Sequence, residues 1–436
     1  MLNMRQRFLV VFGLCLLWII PAGNTAFAQA LLAGSDTLSL TIKQAEEQFL
    51  KNNLQLIVQH YNINSAQAQI ITARLFQNPQ LNFSNVLYNP NTKKIFDVSN
   101  QTGEYSFGIN QLFLTAGKRN KNIRLAEIGV RQSQYQFFDL LRTLKLTLRD
   151  DFFTVYFQQQ SVRVYDAEIG SLSKLLTAYK EQYAKGNIAE KEVLRIQSQL
   201  YSLQSELTNL NVGIDTTERQ LKFLIRANPD AYIVPQYDVG SDGKEAVSAV
   251  PYQKLIDSAY NNRNDLKLAK STLDYNTVNL SLQRALAVPD VSVGVNYDKQ
   301  ASYIKDYSGI GIGFPLPFFN RNQGAIKQAK IAIDQSKIQL QNQQNQVESD
   351  VAVNYKVALE YERAYNSFDP QFRNDFMHLI QEVFKNYEKR NIGLIEFLNF
   401  YDSYKVTVIQ LNNIQLSRVT SLEQLNFVTG TPFFNQ

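Results

Sequence analysis

The sequence predicts a mainly α-helical protein with a small β part, built as two tandem repeats. Three observations lead there. Apolar residues recur every seven positions, or in alternating steps of three and four, over stretches far longer than an ordinary globular helix. Four short segments alternate apolar with small polar residues at period two. The second half also repeats the first at a nearly constant offset of 204 (387 − 183).

The composition fits that class. The 436 residues include only 19 glycines and 11 prolines, and Gln and Asn are conspicuous. Sparse helix breakers suit long polar-faced helices better than a sandwich or an α/β enzyme. The net charge is +5, but no Lys/Arg run is present, so nothing supports nucleic-acid binding. The one cysteine, Cys15, falls in the N-terminal leader, and the two histidines are His60 and His378. That inventory supplies no disulfide, no thiolate metal site and no conventional catalytic triad.

The N-terminus reads as a secretory signal. Arg5 and Arg7 precede an apolar core over 8–20, and Ala26-Phe27-Ala28 is an A-x-A-type cleavage site. Residues 1–28 are thus the expected signal peptide, with Gln29 opening the mature chain. A transmembrane anchor is the other reading, and the stretch is short for one. Lipoprotein processing at Cys15 is disfavoured, because Leu14 stands where a small residue is needed. No other run reaches the ~20 apolar residues of a membrane helix. An exported chain of this kind is periplasmic, secreted or part of an outer-membrane β-barrel.

The repeat sets the domain plan. Tyr183-Ala184-Lys185-Gly186-Asn187-Ile188 aligns with Tyr387-Glu388-Lys389-Arg390-Asn391-Ile392. Glu192 pairs with Glu396, Leu221 with Leu425 and Phe223 with Phe427. Asn78-Pro79 matches Val288-Pro289, and Gly117-Lys118-Arg119 matches Asn320-Arg321-Asn322. The expected units are a first repeat over 29–230, a linker over 231–250 and a second repeat over 251–436. Each reads as helix, strand, strand, long helix, turn, long helix.

The helices carry the clearest signal. Leu141, Leu148, Val155, Val162, Ile169, Leu176 and Tyr183 are seven apart, and Val193, Ile196, Leu200, Leu203, Leu207, Leu210 and Ile214 continue in steps of three and four. Such a seam needs neighbouring helices to cover it. No proline interrupts 118–184, so one rod of ~100 Å is expected. The coiled-coil hairpins are expected at about 118–225 and 321–429. Gly186-Asn187 breaks the first pair of helices and Arg390-Asn391 the second. Pro370 predicts a kink or restart in the second long helix, where the first repeat has Asp166.

Strands are expected at about 80–88, 103–113, 290–298 and 306–314. Val291, Val293, Val295 and Tyr297 oppose Ser292, Gly294 and Asn296, and Tyr105, Phe107 and Ile109 oppose Ser106, Gly108 and Asn110. This is the lipid-and-lumen alternation of a membrane barrel, and equally that of a half-buried soluble hairpin. Four strands cannot close a barrel, which takes at least eight, so a barrel requires strands pooled from several copies.

With this organisation the chain resembles the TolC family of outer-membrane factors over nearly its whole mature length. The corner Gly313-Phe314-Pro315-Leu316-Pro317-Phe318-Phe319-Asn320-Arg321-Asn322-Gln323-Gly324 looks like that of the CzcC/CusC-like heavy-metal-efflux branch, and Leu114-Thr115-Ala116-Gly117-Lys118-Arg119 is its first-half counterpart. The resemblance implies a homotrimer with a shared 12-stranded outer-membrane β-barrel, a trimeric α-helical barrel and a long periplasmic extension. It also implies a periplasmic adaptor (membrane fusion protein), an inner-membrane pump of the RND type and contact with outer-membrane lipid.

Candidate functional residues cluster at the two hairpin tips. The resemblance places an acidic constriction at the second tip, where this chain holds Glu396 and, three residues on, Asn399 in place of a second carboxylate. A ring of three Glu396 side chains would attract cations, and a solvated helix face is the plainer reading. Tyr387 resembles a family tyrosine that holds the closed state, or it simply packs in the seam. Gly186, Asn187, Asn391 and Gly393 are candidate adaptor-docking residues that also serve as turn chemistry. Asp150-Asp151 diverge by about 100° on one helix and read as solvated or lumen-facing rather than as a catalytic dyad. No phosphate loop, nucleophile elbow or zinc motif occurs. The expectation is a non-enzymatic exit duct without cofactor, its best-guess cargo metal cations. Multidrug or small-molecule efflux and type I secretion are alternatives, and a soluble periplasmic coiled-coil scaffold is a weaker one.

Overall fold

The computed structural model describes residues 37–238, 246–301, 303–369 and 371–434. The expected signal peptide, Cys15, Pro370 and part of the expected linker lie outside the described residues. The chain opens with β1 (Thr37–Thr41), α1 (Ile42–Asn52) and α2 (Leu54–Arg74). Strands β2 (Gln80–Asn85), β3 (Tyr88–Asn89), β4 (Lys94–Ile95) and β5 (Tyr105–Phe113) follow, then α3 (Lys118–Ala184), α4 (Glu190–Ile225) and β6 (Tyr232–Gln236). The second repeat comprises α5 (Tyr252–Asn262), α6 (Asn264–Leu286), β7 (Val291–Asp298), β8 (Tyr307–Gly313), α7 (Gln323–Asn366), α8 (Phe372–Glu388) and α9 (Leu394–Thr429).

Helix α3 is one unbroken rod of 67 residues, about 100 Å long. Its entry is a tight corner: Ala116 (φ 49°) and Gly117 (φ 67°) are both left-handed, a conformation that glycine adopts at no steric cost. Helix α7 is entered through left-handed Asn322 (φ 58°), so Asn322, not Asn320, is the structural counterpart of Gly117. Asn322 Nδ2 donates to Gln283 O at 2.8 Å, which holds the second corner against α6. The second rod is interrupted between Asn366 and Phe372.

Strands β2, β5, β7 and β8 form one antiparallel sheet in that order, so its centre joins the two repeats. Register carries the period-two pattern across all four strands. Leu81, Ile109, Val295 and Ile310 stand side by side, and so do Asn82, Gly108, Asn296 and Gly309. One face is therefore apolar and the other small and polar. On the apolar face Phe83, Phe107 and Tyr297 form an aromatic row, with ring centroids 5.1 and 6.5 Å apart. Leu81, Phe83, Phe107, Ile109, Val295, Ile310 and Ile312 are all exposed within the chain. Strand β2 ends at Asn85 rather than running to 88, because the chain bends into the small β3–β4 hairpin.

The expected linker contains an element that periodicity did not show. β6 pairs in parallel with β1, Thr37 opposite Tyr232 through Thr41 opposite Gln236. This pair closes a core made by Phe49, Leu148, Phe152, Phe153, Leu221, Ile225 and Ile233. A second core at the equivalent level joins Leu255, Leu266, Val347, Val351, Leu422 and Leu425. The two levels are tied alike: Gln159 Nε2 donates to Ile233 O at 2.7 Å, and Glu362 Oε1 accepts from Val247 N at 2.9 Å. Above them α2, α3, α6 and α7 pack in a row, while α9 packs on both α3 and α7. No described helix is long and apolar enough to cross a membrane.

Candidate functional site

The two hairpin tips are built to one plan. At the first, left-handed Gly186 (φ 76°) donates its N–H to Tyr183 O, and Asn187 donates to Gln182 O, both at 2.9 Å. At the second, Arg390 (φ 60°) donates to Tyr387 O and Asn391 to Asn386 O, again both at 2.9 Å. Each asparagine side chain also bonds back, Asn187 Nδ2 to Gln182 Oε1 and Asn391 Nδ2 to Asn386 Oδ1. A non-glycine residue in the left-handed region is strained, so the second tip tolerates what the first avoids. Gly393 is extended, and a Cβ there would meet open space, so no local constraint demands glycine.

One apolar cluster joins the hairpins behind these tips. Leu172, Leu176, Val193 and Ile196 of the first meet Ile380, Val383, Tyr387 and Phe397 of the second. The buried line on α3 runs through Val164, Leu172 and Leu176, and Tyr183, last of the seven-spaced row, is exposed. A straight helix has 3.6 residues per turn and drifts away from a strict seven-residue repeat, which explains the shift.

Tyr387 lies inside that cluster. Its ring stacks on Phe397 at 4.4 Å, and its hydroxyl shares a hydrogen bond with the Tyr179 hydroxyl on α3. Burial first, then the Tyr179 bond, pushes its phenol upward. Glu396 and Asn399 sit one turn apart on the opposite, exposed face of α9, where they line a shallow groove with Gly393, Ile395, Phe400 and Ser403. The structure thus separates the predicted set into a buried seam residue, Tyr387, and an open polar face holding Glu396 and Asn399.

Further along the seam is a charged node that spacing arguments missed. Lys405 on α9 is buried, with Nζ 3.0 Å from Glu206 Oε2 on α4 and 3.1 Å from Asp402 Oδ1. The Tyr165 hydroxyl on α3 donates to Glu206 Oε2 at 3.1 Å. Glu168 on α3 is buried beside them. The available sequence signal was an acidic residue at a seam position of α3 facing a lysine at a seam position of α9.

Asp150 and Asp151 are also more enclosed than a solvated pair. One carboxylate oxygen of each is buried without a hydrogen-bond partner among the described residues. Burial, then nearby Glu423 and Asp151, raises Asp150 to about 7, and burial alone raises Asp151 to about 7. His60 packs edge-on against Phe137, and among the described residues no group of three His, Cys, Asp or Glu could hold a metal ion. The described residues bring together two tips, a seam and a polar-faced sheet.

Comparison with known proteins agrees with this geometry. The family model described as outer membrane efflux protein matches residues 46–225 and 255–365. The cobalt-zinc-cadmium resistance protein CzcC of Cupriavidus metallidurans is 22% identical over 344 residues, 76% of this chain and 78% of that protein. The outer membrane channel CmeC of Campylobacter jejuni has the same fold, with a TM-score of 0.71 at 16% identity over 90% of this chain and 86% of its own. A crystal structure of CusC matches with a TM-score of 0.70 at 15% identity, over 89% of this chain and 92% of its own.

Proposed function

This chain belongs to the outer membrane efflux protein family, and from that premise we propose that it is one protomer of a homotrimeric exit duct that passively carries metal cations outward from an inner-membrane pump and a periplasmic adaptor. One observation carries the reading. A four-stranded sheet, apolar on one face and small-polar on the other, has both edge strands unpaired among the described residues and stands at the end of a rod of about 100 Å. Open edges and an uncovered apolar face are liabilities in water. Three copies would pool twelve strands, close the edges and turn the apolar face to lipid.

In this reading energy comes from the pump. The tips around Gly186, Asn187, Asn391 and Gly393 are the proposed adaptor contact. Tyr387, Glu396 and Asn399 are the proposed gate, with Glu396 on the open face supplying negative charge. Cations as cargo follow from that carboxylate and from the resemblance to CzcC.

The test is deletion of the gene from its own host, with tolerance measured to cobalt, zinc, cadmium and copper salts and to a panel of drugs. Metal sensitivity restored by the intact gene supports the reading. Drug sensitivity alone would move the cargo to small molecules. Recovery of the protein as a soluble monomer without detergent would defeat the duct itself.

A further inference from the structure

We propose that Glu168 is a buried proton-binding site whose proton keeps the second hairpin seated on the first, an inference that rests on the reading of the chain as a duct opening at its tips.

The stripe of α9 that faces Glu168 has a sequence counterpart on α4 that carries no charge at the same place. Leu194, Tyr201, Val212 and Phe223 on α4 recur 204 residues on as Leu398, Lys405, Leu416 and Phe427 on α9. Two of these pairs are identical, the third exchanges Val212 for Leu416, and the fourth exchanges Tyr201 for Lys405. The facing helix changes in step, since Glu168 on α3 corresponds to Phe372. Tyr201 and Phe372 are both exposed within the chain, so the charged set is particular to the seam between the two hairpins. A buried ion pair is seldom more stabilising than the apolar residues it replaces. Its presence between the hairpins points to a switching role.

The geometry leaves Glu168 as the one member without a bond. Lys405 commits its ammonium to Glu206 and Asp402 and lies over the Tyr165 ring at 5.9 Å. Glu206 is satisfied by Lys405, the Tyr165 hydroxyl and, at 3.2 Å, the Ser202 hydroxyl. Glu168 is 4% exposed, and neither of its carboxylate oxygens has a hydrogen-bond partner among the described residues. Facing it are Tyr165 from its own helix, Glu206 from α4, and Tyr401, Asp402 and Lys405 from α9, with Tyr404 beside Tyr401. Helix α8 brings Phe376 against Tyr404, which sets the node level with the first turns of α8, on the tip side of the break after Asn366.

Three carboxylates thus surround one ammonium. With all of them ionised, the node carries a net charge of −2; Glu206 and Asp402 reach solvent, whereas Glu168 is buried, and a proton on Glu168 removes the one charge that water does not screen. Burial is the largest influence and lifts Glu168 to about 7, Lys405 pulls it back, and Asp402 and Glu206 add to the rise. Once the hairpins part, the carboxyl returns to its ordinary value of 4.5. The seated state binds the proton more tightly, so its advantage is complete below that value and fades as pH climbs through about 7. Acid seats the hairpin and alkali releases it.

The experiment places spin labels at Lys185→Cys and Lys389→Cys, one on each tip, in the assembled protein in detergent. The label distance is followed from pH 5.5 to 8.5, alongside single-channel conductance in planar bilayers. The wild type is expected to show a narrow distance distribution in acid that broadens with a midpoint near 7, and conductance rising in parallel. Glu168→Gln is expected to stay narrow throughout. Glu168→Leu, which removes the ionisable group altogether, should do the same and serves if the glutamine variant does not assemble. A pH response unchanged in either variant overturns the proposal. A wild type that forms no channel at any pH overturns the duct reading instead, and the label distances still decide the fate of Glu168.

Discussion

Phe223 and Phe427 occupy equivalent places 204 residues apart, yet only Phe427 is covered. The Arg142 guanidinium lies 4.2 Å from the Phe427 ring centroid, and Phe223 is 67% exposed. Phe223 continues a stripe on α4 that includes Leu194, Tyr201 and Val212, all of them exposed. Among the described residues α9 is covered by α3, whereas the stripe on α4 is left exposed. In the proposed trimer a second copy would supply that neighbour.

Phe223→Asp should therefore leave the protomer folded and lower the trimer fraction at least tenfold. Sedimentation in detergent reads the loss, and far-ultraviolet circular dichroism should be unchanged. Phe427→Asp buries a carboxylate instead and should lower helicity itself. A trimeric Phe223→Asp protein would remove α4 from the interface.

Tyr387→Phe deletes one hydroxyl and keeps the ring that stacks on Phe397. It should free the second tip from Tyr179 and raise mean single-channel conductance severalfold, with a change in folding stability of about 1 kcal/mol. Tyr179→Phe should match it. Wild-type conductance in both variants would show that the pair only packs.

Lys118 begins α3 and is buried, with Nζ donating to Asp290 Oδ1 at 2.6 Å and Val288 O at 2.7 Å. It fastens the first long helix to the strand entry of the second repeat. Lys118→Met should cost about 2–4 kcal/mol, because Asp290 and the Val288 carbonyl lose their shared donor. Urea unfolding monitored by circular dichroism measures the change, and a loss below 1 kcal/mol would contradict it.

Asp150 predicts a pH dependence of opposite sense to ordinary acid denaturation. Its carboxyl is raised from 3.8 to about 7, so folding binds the proton and the associated stability is complete below 3.8. That contribution is lost as pH rises through about 7. Asp150→Asn should raise the melting temperature at pH 8 by about 1–3 °C and change it little at pH 5. Equal shifts at both values would mean that the carboxyl is not the titrating group.

Much of this architecture was legible because it follows from one-dimensional rules. The proline-free run from Lys118 to Ala184 is one helix, and alternation at period two sets both faces of the sheet, as the row Leu81, Ile109, Val295 and Ile310 demonstrates. The tips were readable from Gly186-Asn187 because a left-handed residue must end such a helix. Legibility ended where two distant helices had to be registered. Spacing placed Tyr387 in a seam, and only packing put the Tyr179 hydroxyl against it. The same holds for Lys405 and Glu168, because a heptad pattern records apolar positions and treats a charge among them as an interruption. β1 and β6 escaped because each is five residues long and their partners are almost 200 positions apart.

The unequal long helices have a mechanical consequence. Helix α3 is a continuous strut, whereas its counterpart is jointed between Asn366 and Phe372. In the proposed trimer, three stiff spokes would alternate with three interrupted ones. The segment beyond the joint, α8, is 17 residues or about 25 Å long. A swing of about 10° there moves its far end by roughly 4 Å while the strut beside it stays still. Dilation at the lower end would then leave the upper cylinder and the membrane-facing sheet undisturbed, like the lower staves of a basket spreading below a fixed hoop.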